Sequence, residues 1–333
     1  MKEFDFEERR IKEEIAKVGA KRVLLQLPEG FKPEGVRLAK LVEKCGALPI
    51  ISADPCYGAC DIAASEAEAL GADLIIHFGH SELIAGHQTP TAYFEVKANV
   101  SIDQAVQQAL PLLAKYSKVG LATSVQHLQT LAHVEDILVK NGKKVVIGNS
   151  GQIANPGQVL GCNYSNVKSI AGQVDSFLFV GGGLFHALGV ALATSKPTVV
   201  ADPYDNRAFS VDDEAKRIIR KRWASVEEAM KAKNFGVFVG LKPGQKKVDL
   251  ALKIRELAEK HGCDAYLFAA REITPETILE FPSVDAYVNT ACPRISLDAS
   301  HKFSKPVISV NEFMVVIGES SWESMLKKGL FES

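Results

Sequence analysis

The chain has 333 residues, of which 47% are hydrophobic and 24% are charged, a balance typical of a globular protein with two or three domains. Its 39 Lys and Arg residues are offset by 40 Asp and Glu residues, and a formal net charge of -1 gives no overall attraction to nucleic acid or to an anionic membrane. The acidic N-terminus does not resemble a signal peptide, and no apolar run approaches the roughly 18 residues of a membrane span. We therefore expect a cytoplasmic protein that does not bind nucleic acid or membranes.

One order of elements occurs three times along the chain: a buried strand, an amphipathic helix and three further strands. The predicted strands lie at 23–27, 49–51, 74–76 and 93–96 in the first repeat, at 119–122, 145–147, 177–180 and 198–200 in the second, and at 237–239, 265–268, 286–288 and 307–310 in the third. The first helix of each repeat is predicted to end at a glycine, namely Gly46, Gly142 and Gly262. Short apolar strands separated by amphipathic helices predict parallel sheets that are covered on both faces.

The expected fold class is therefore α/β, with three similar βαβ domains whose parallel sheets are arranged around one central site. We place these domains at residues 1–105, 106–225 and 226–333. A charged helix over 212–233 marks the second boundary. Its basic residues are Lys216, Arg217, Arg220, Lys221 and Arg222. We interpret it as a solvated helix between domains, with a basic docking face as the alternative.

Six cysteines are few for this length and widely scattered, so no disulfide framework is expected. In open parallel sheets, ligands bind beyond the carboxyl ends of the strands. Cys60, Cys162 and Cys292 each fall in such a loop, one in each repeat. Either this is coincidence, or the three form a shared metal site, which would hold zinc with a water molecule or an iron–sulfur cluster with one open iron.

The other three cysteines are interpreted as bystanders. Cys45 and Cys263 follow helix ends on the opposite edge of the sheets, where a small hydrophobic residue packs well. Cys56 precedes Cys60 in a Cys-x-x-x-Cys pair, but Ala63 stands where a radical-enzyme motif would need a third cysteine. We expect Cys56 to neighbour the site without being a ligand.

Glycines and histidines are also expected at these carboxyl ends. Gly181, Gly182 and Gly183 lack the spacing of a dinucleotide fingerprint but would let the backbone approach a ligand closely. His77, His80 and His186 are expected to be acid–base or supporting groups, or hydrogen-bonded structural residues. The loop over 240–245 follows the first strand of the third repeat and faces the predicted centre, although it lacks the ending of a phosphate-binding loop.

Four segments in this order resemble the archaeal 2-(3-amino-3-carboxypropyl)histidine synthase family, which begins diphthamide synthesis. They are YGACD at 57–61, HFGHS at 77–81, PGQVLGC at 156–162 and NTACPR at 289–294. Each segment alone is weakly specific, but four of them on a triplicated βαβ pattern cover nearly the whole chain.

The resemblance implies that the central site holds a 4Fe-4S cluster on Cys60, Cys162 and Cys292, with no further catalytic residue. It implies S-adenosylmethionine as co-substrate, a histidine of translation elongation factor two as acceptor, an electron donor and a homodimer. The family chemistry is a radical transfer: an electron breaks a carbon–sulfur bond of the sulfonium, and the 3-amino-3-carboxypropyl group adds to imidazole C2.

For this co-substrate we expect Arg294 to bind the methionine carboxylate, because a guanidinium fork matches a carboxylate. Other expected contacts are Gln245, His186 and the backbone of Gly181, Gly182 and Gly183. The alternative for Arg294 is an ion pair between domains. Two alternative functions also stay open: a quinolinate synthase-like 4Fe-4S lyase, and a non-enzymatic iron–sulfur partner subunit.

Overall fold

The structure is a computed structural model that describes residues 3–86, 88–298 and 302–331. The chain divides into two compact units. The first comprises Met1–Val100 with the short segments Val125–His127 and Lys242–Gly244, and the second comprises the remainder. Within the described residues, no helix is long and apolar enough to cross a membrane.

The first unit contains a four-stranded parallel sheet in the order β3-β2-β4-β5, and a small antiparallel pair of β1 and β6. Its elements are β1 Phe4–Asp5, α1 Glu8–Val18, β2 Arg22–Gln26, α2 Gly35–Glu43, β3 Leu48–Ile51, α3 Ala64–Leu70, β4 Leu74–Phe78, β5 Thr91–Phe94 and β6 Lys97–Ala98. Strand β5 ends at Phe94, two residues before the end of the predicted strand 93–96, because Val96 has a φ of 59°, a left-handed conformation that interrupts a strand.

The second unit contains two sheets within the described residues. The elements around the first are α4 Asp103–Leu112, β7 Lys118–Thr123, α5 Leu131–Lys140, β8 Lys144–Ile147, α6 Ser165–Ile170, β9 Ser176–Val180, α7 Phe185–Thr194, β10 Thr198–Asp202 and β11 Arg207–Ser210. The sheet order is β11-β10-β9-β7-β8, and β11 is an antiparallel edge strand that the sequence analysis did not predict.

The elements around the other sheet are α8 Asp212–Ala229, β12 Asn234–Gly240, α9 Val248–Lys260, β13 Asp264–Ala270, α10 Pro275–Leu279, β14 Ala286–Asn289, α11 Pro293–Asp298, β15 Val307–Ser309, α12 Val310–Val316 and α13 Trp322–Lys328. The sheet order is β13-β12-β14-β15, with all strands parallel. All three parallel sheets therefore share the order second, first, third, fourth strand, as expected of a repeated unit.

One aspartate per sheet repeats the same contact. Asp73, Asp175 and Asp285 each precede the third strand of their sheet, and each carboxylate accepts two backbone N–H groups at the start of the first strand, at 2.7–3.0 Å. These hydrogen bonds hold the pKa of all three carboxyls below the usual value. These aspartates were not predicted, although the same pattern precedes each third strand: an apolar residue, Ala72, Val174 or Val284, followed by Asp.

The charged helix is α8, and it is only partly solvated. Lys216, Arg217, Arg220 and Lys221 are exposed, but Arg222 is completely buried, so the interpretation of the whole basic set as a solvated or docking face was wrong for that residue. Its guanidinium donates to both carboxylate oxygens of Glu312, at 2.7 and 2.8 Å. The helix is amphipathic, and Arg222 lies on its inner face beside Val226, which belongs to the core.

Candidate functional site

The loop that carries Cys60 connects β3 to α3 in the first unit. Cys60 is half-buried and forms no disulfide, and the segment Lys242–Gly244 contacts its backbone. The N–H of Gly244 donates to the carbonyl of Cys60 at 2.8 Å. A Cβ atom at position 244 would lie 2.7 Å from the Cα of Cys60, so this close approach requires glycine.

A buried ion pair fixes the same loop. Lys242 Nζ lies 3.0 Å from Asp61 Oδ2, and both side chains are almost completely buried. The same ammonium lies 4.1 Å from the ring centroid of Tyr57. Lys242 therefore contacts two residues near Cys60, namely Asp61 and Tyr57. From the sequence, Lys242 was predicted only as part of the loop over 240–245.

Cys162 lies in the long loop between β8 and α6. Asn166 anchors this loop, because its side-chain amide donates to the carbonyls of Asn155 and Gln158 at 2.9 and 3.0 Å. Gly161, next to Cys162, contacts the ring of Phe185, and a Cβ atom at 161 would come within 2.7 Å of that ring. Cys162 is half-buried and forms no disulfide.

Cys292 follows β14 and directly precedes α11. Asn289, the last residue of β14, donates to the carbonyl of Cys292 at 2.7 Å and accepts the N–H of Ala291 at 3.0 Å. The buried guanidinium of Arg222 stabilises α11 by donating a hydrogen bond to the carbonyl of Ser296 at 2.7 Å. The Cys292 loop is thereby tied to the core of the second unit.

Arg294 is buried two residues beyond Cys292. Its guanidinium carbon lies 3.7 Å from the ring centroid of Phe185 and 5.8 Å from that of Phe331. Since Gly161 also contacts Phe185, this one ring joins the neighbour of Cys162 to a residue of the Cys292 helix. Sequence reasoning did not single out Phe185 for this role.

The glycine run over 181–183 links β9 to α7. The N–H of Gly183 donates to Asp202 Oδ2 at 3.0 Å, so Asp202 stabilises the loop from the next strand. The half-buried ring of His186 stacks on Phe179 at 5.9 Å. Gln245 is buried and ends a short 3₁₀ turn over Pro243–Gln245.

A polar cluster lies at the carboxyl end of the sheet in the first unit. His77 is the penultimate residue of β4, and its Nε2 atom lies 2.8 Å from Nδ1 of His80. The sulfur of Cys56 belongs to the same group, whose three potential ligand atoms all lie within 4.8 Å of one another. Burial raises the pKa of the Cys56 thiol to about 12 and lowers the pKa of both histidines, that of His80 to about 4.

A family model described as diphthamide synthesis protein matches residues 27–326, which include every cysteine loop described above. The chain belongs to this family. The resemblance stated from the four sequence segments is thereby confirmed.

Two curated members of the diphthamide synthesis family show how far the similarity extends. The chain is 40% identical over 311 residues to the 2-(3-amino-3-carboxypropyl)histidine synthase of Pyrococcus horikoshii, covering 92% of this chain and 89% of that protein. It is 31% identical over 317 residues to subunit 1 of the corresponding Schizosaccharomyces pombe enzyme, covering 92% and 72%.

A solved structure of the family has the same fold. The crystal structure of Dph2 from Pyrococcus horikoshii with a 4Fe-4S cluster matches with a TM-score of 0.87 and 37% identity, covering 95% of this chain and 92% of that one. The donor chemistry in the present chain suits such a cluster, since Cys60, Cys162 and Cys292 are partly exposed cysteines outside any disulfide, on loops whose backbones are hydrogen-bonded.

Proposed function

We propose that this chain transfers the 3-amino-3-carboxypropyl group of S-adenosylmethionine to a histidine of translation elongation factor two, the first step of diphthamide biosynthesis. The observation that carries the proposal is the match, over nearly the full length, to the Pyrococcus horikoshii enzyme and to a Dph2 structure with a 4Fe-4S cluster.

Cys60, Cys162 and Cys292 would hold the 4Fe-4S cluster, one from each repeat. When bound, such a cluster supplies an electron for cleavage of the sulfonium and an open iron for its ligand. The chain's own contribution is to fix the three loops: Gly244 binds the backbone at Cys60, Asn166 anchors the loop of Cys162, and Asn289 binds the backbone at Cys292.

In the overall reaction, the bond between the sulfonium sulfur and the carboxypropyl carbon breaks and a carbon–carbon bond to imidazole C2 forms. Methylthioadenosine leaves, and the C2 proton is released. The net transfer is redox-neutral, so the electron donor acts as an initiator. No side chain needs to act as a nucleophile, and the protein's tasks are binding, orientation and exclusion of water.

Arg294 is proposed to bind the methionine carboxylate. Its guanidinium is buried against Phe185, and burial strengthens its attraction for an anion. Phe331, which is buried, would also keep water from the guanidinium.

Gln245, His186 and the backbone of Gly181, Gly182 and Gly183 are proposed as further contacts of S-adenosylmethionine. The N–H of Gly183 is already bonded to Asp202, so Gly183 would contact the co-substrate through its carbonyl or Cα. Gly182 is an exposed residue of the same loop, and the half-buried His186 lies in the first turn of α7, which follows the loop.

The working assembly is proposed to be a homodimer that meets elongation factor two and an electron donor in the cytoplasm. Exposed apolar side chains on both faces of β13, an edge strand of its sheet, support the dimer: Tyr266 and Leu267 are 54% and 38% exposed. A second copy would cover side chains of this kind.

The proposal is tested by incubating the anaerobically reconstituted protein with S-adenosylmethionine and dithionite. Chromatography should detect methylthioadenosine, and release should depend on dithionite. Release of 5′-deoxyadenosine in its place, or no cleavage by a protein that carries its full iron content, would contradict the proposal.

A further inference from the structure

A second set of metal-ligating side chains lies in the first unit, apart from the three proposed cluster cysteines. Cys56 stands in the loop after β3, His77 near the end of β4, and His80 just beyond that strand. Their sulfur and nitrogen atoms lie within 4.8 Å of one another. Among the His, Cys, Asp and Glu residues that the structure describes, these three have ligand atoms close enough to bind one ion together.

The side chain of Gln26 fixes the protonation of His77. Gln26 Nε2 donates to the carbonyl of Asp61 at 2.6 Å, and Gln26 Oε1 accepts the N–H of Ala63 at 3.1 Å, so the amide orientation is determined. The same oxygen lies 2.9 Å from Nδ1 of His77. Because a carbonyl oxygen only accepts, His77 Nδ1 carries the proton and the Nε2 lone pair faces His80 and Cys56.

This arrangement has the features of a metal-binding histidine. Such residues donate one ring N–H to a carbonyl or carboxylate, which orients the ring and leaves the other nitrogen for the ion. Without an ion, His77 Nε2 accepts a hydrogen bond from His80 Nδ1 at 2.8 Å. If both nitrogens bound one tetrahedral ion, the distance between them would increase to about 3.3 Å, which is about half an ångström more than at present.

The three side chains also have the donor chemistry of a divalent cation site. The backbone N–H of Cys56 donates to Oε1 of Glu29 at 3.2 Å, and that oxygen already pairs with Lys32 Nζ at 3.3 Å. The anionic ligand to the ion would therefore be the thiolate of Cys56. One soft sulfur and two borderline imidazole nitrogens suit zinc and its neighbours, with a fourth position for water.

We propose that Cys56, His77 and His80 bind a single divalent ion of the zinc class, at a site separate from the three cysteines assigned to the cluster. The site does not depend on the proposed transferase activity. Because Cys56 and Cys60 share a loop, an ion there would brace the loop that presents Cys60.

The test uses anaerobic protein loaded with its iron–sulfur cluster, so that the three cluster cysteines are occupied. After equilibration with zinc chloride and removal of free metal, elemental analysis should find one zinc per chain in addition to cluster iron. X-ray absorption at the zinc edge should show one sulfur at about 2.3 Å and two imidazole nitrogens at about 2.0–2.1 Å.

Three variants locate the ion. Cys56→Ser and His80→Ala should each weaken zinc binding at least tenfold, whereas Cys45→Ala, which alters a half-buried thiol outside the group, should leave it unchanged. Iron content, measured on the same samples, reports separately on the cluster.

Three results would overturn the site: no retained zinc, zinc binding unaffected by Cys56→Ser, or an absorption spectrum with three sulfur ligands. If Cys56→Ser does not fold, the spectrum of the unaltered protein decides, because its sulfur count alone distinguishes this site from the three cysteines.

Discussion

The six cysteines differ in backbone setting. Cys60 and Cys292 have carbonyls bound by neighbouring residues in loops beyond strand ends, and Cys162 lies in a loop anchored by Asn166. Cys45 and Cys263 instead follow α2 and α9 and pack against hydrophobic cores. These positions follow from the order of strands and helices, which explains why a pattern of short strands was enough to predict them.

Alanine substitution should separate the cysteines by function. Cys60→Ala, Cys162→Ala and Cys292→Ala should each lose the cluster and methylthioadenosine release, because a methyl group cannot replace a thiolate ligand. Cys45→Ala, Cys263→Ala and Cys56→Ala should retain both, at a packing cost of about 1 kcal/mol. Iron analysis of all six variants tests this, and a Cys56 variant without iron beside a Cys60 variant with iron would reverse the assignment.

Arg294→Lys should retain the cluster but weaken S-adenosylmethionine binding. A lysine keeps the charge and loses the two-pronged hydrogen bond to a carboxylate, which corresponds to about 1–3 kcal/mol, or roughly five- to 150-fold in Kd. Calorimetric titration of the anaerobic protein measures this, with Arg220→Lys on the exposed face of α8 as the control. Equal affinities of the Arg294 variant and the unaltered protein would exclude the assignment.

Two features show what residue-level reasoning missed. Arg222 lies in a run of basic residues on α8, and its burial depends on Glu312, about ninety positions away, which the local pattern does not reveal. The sequence predicts Cys56 only as a neighbour of the iron–sulfur site. Its convergence with His77 depends on β3 and β4 flanking β2, which is a tertiary placement and not a local pattern.

At the scale of elements, α8, α11 and α12 are joined through one buried ion pair. Arg222 lies on α8, Glu312 on α12, and Ser296, whose carbonyl accepts from Arg222, on α11. The guanidinium also donates to the carbonyl of Val307 at 3.0 Å. The guanidinium of Arg222 on α8 therefore stabilises α11, the helix that follows Cys292.

Arg222→Met should destabilise the protein by about 3–5 kcal/mol, because Glu312 would remain buried without its cation. Chemical unfolding followed by circular dichroism measures the loss. Arg220→Met, at an exposed position on the same helix, is the matched control and should change stability by less than about 0.5 kcal/mol. Similar effects of the two substitutions would show that the buried pair has no special role.

The aspartates that join the first and third strands predict a common response to acid. Backbone hydrogen bonds hold the folded-state pKa of these carboxyls below the usual value for aspartate, so their ionised form stabilises the fold above that usual pKa, and the contribution is lost as the pH falls through the folded pKa. Replacing Asp73, Asp175 and Asp285 together by Asn should lower the urea midpoint near neutral pH and flatten its fall below about pH 4.

Urea unfolding between about pH 6 and about pH 3.5 checks this, with Asp136→Asn on the exposed side of α5 as the control. A triple variant whose midpoint falls as steeply as that of the unaltered protein would show that these carboxylates do not set the acid response.

For the whole molecule, the sequence was sufficient to predict parallel α/β repeats because strand length, helix amphipathicity and terminal glycines are local signals. The strand order common to the three sheets follows the predicted repeat. The antiparallel strand β11 was missed, because its four residues are partly exposed and carry no strong alternation. The domain limits at 105 and 225 stay predictions, and the contact of Phe185 with Arg294 depends on tertiary packing that no local pattern encodes.

The central claim is tested most directly by following the transferred carbon atoms to their acceptor. Reconstituted protein is incubated anaerobically with dithionite, elongation factor two and S-adenosylmethionine labelled with ¹³C in the amino-carboxypropyl group. The account predicts that mass spectrometry and nuclear magnetic resonance find the label bonded to imidazole C2 of one histidine, in amounts matching the methylthioadenosine released. Cleavage of S-adenosylmethionine with no label on the factor, or label attached to a different residue type, would contradict it.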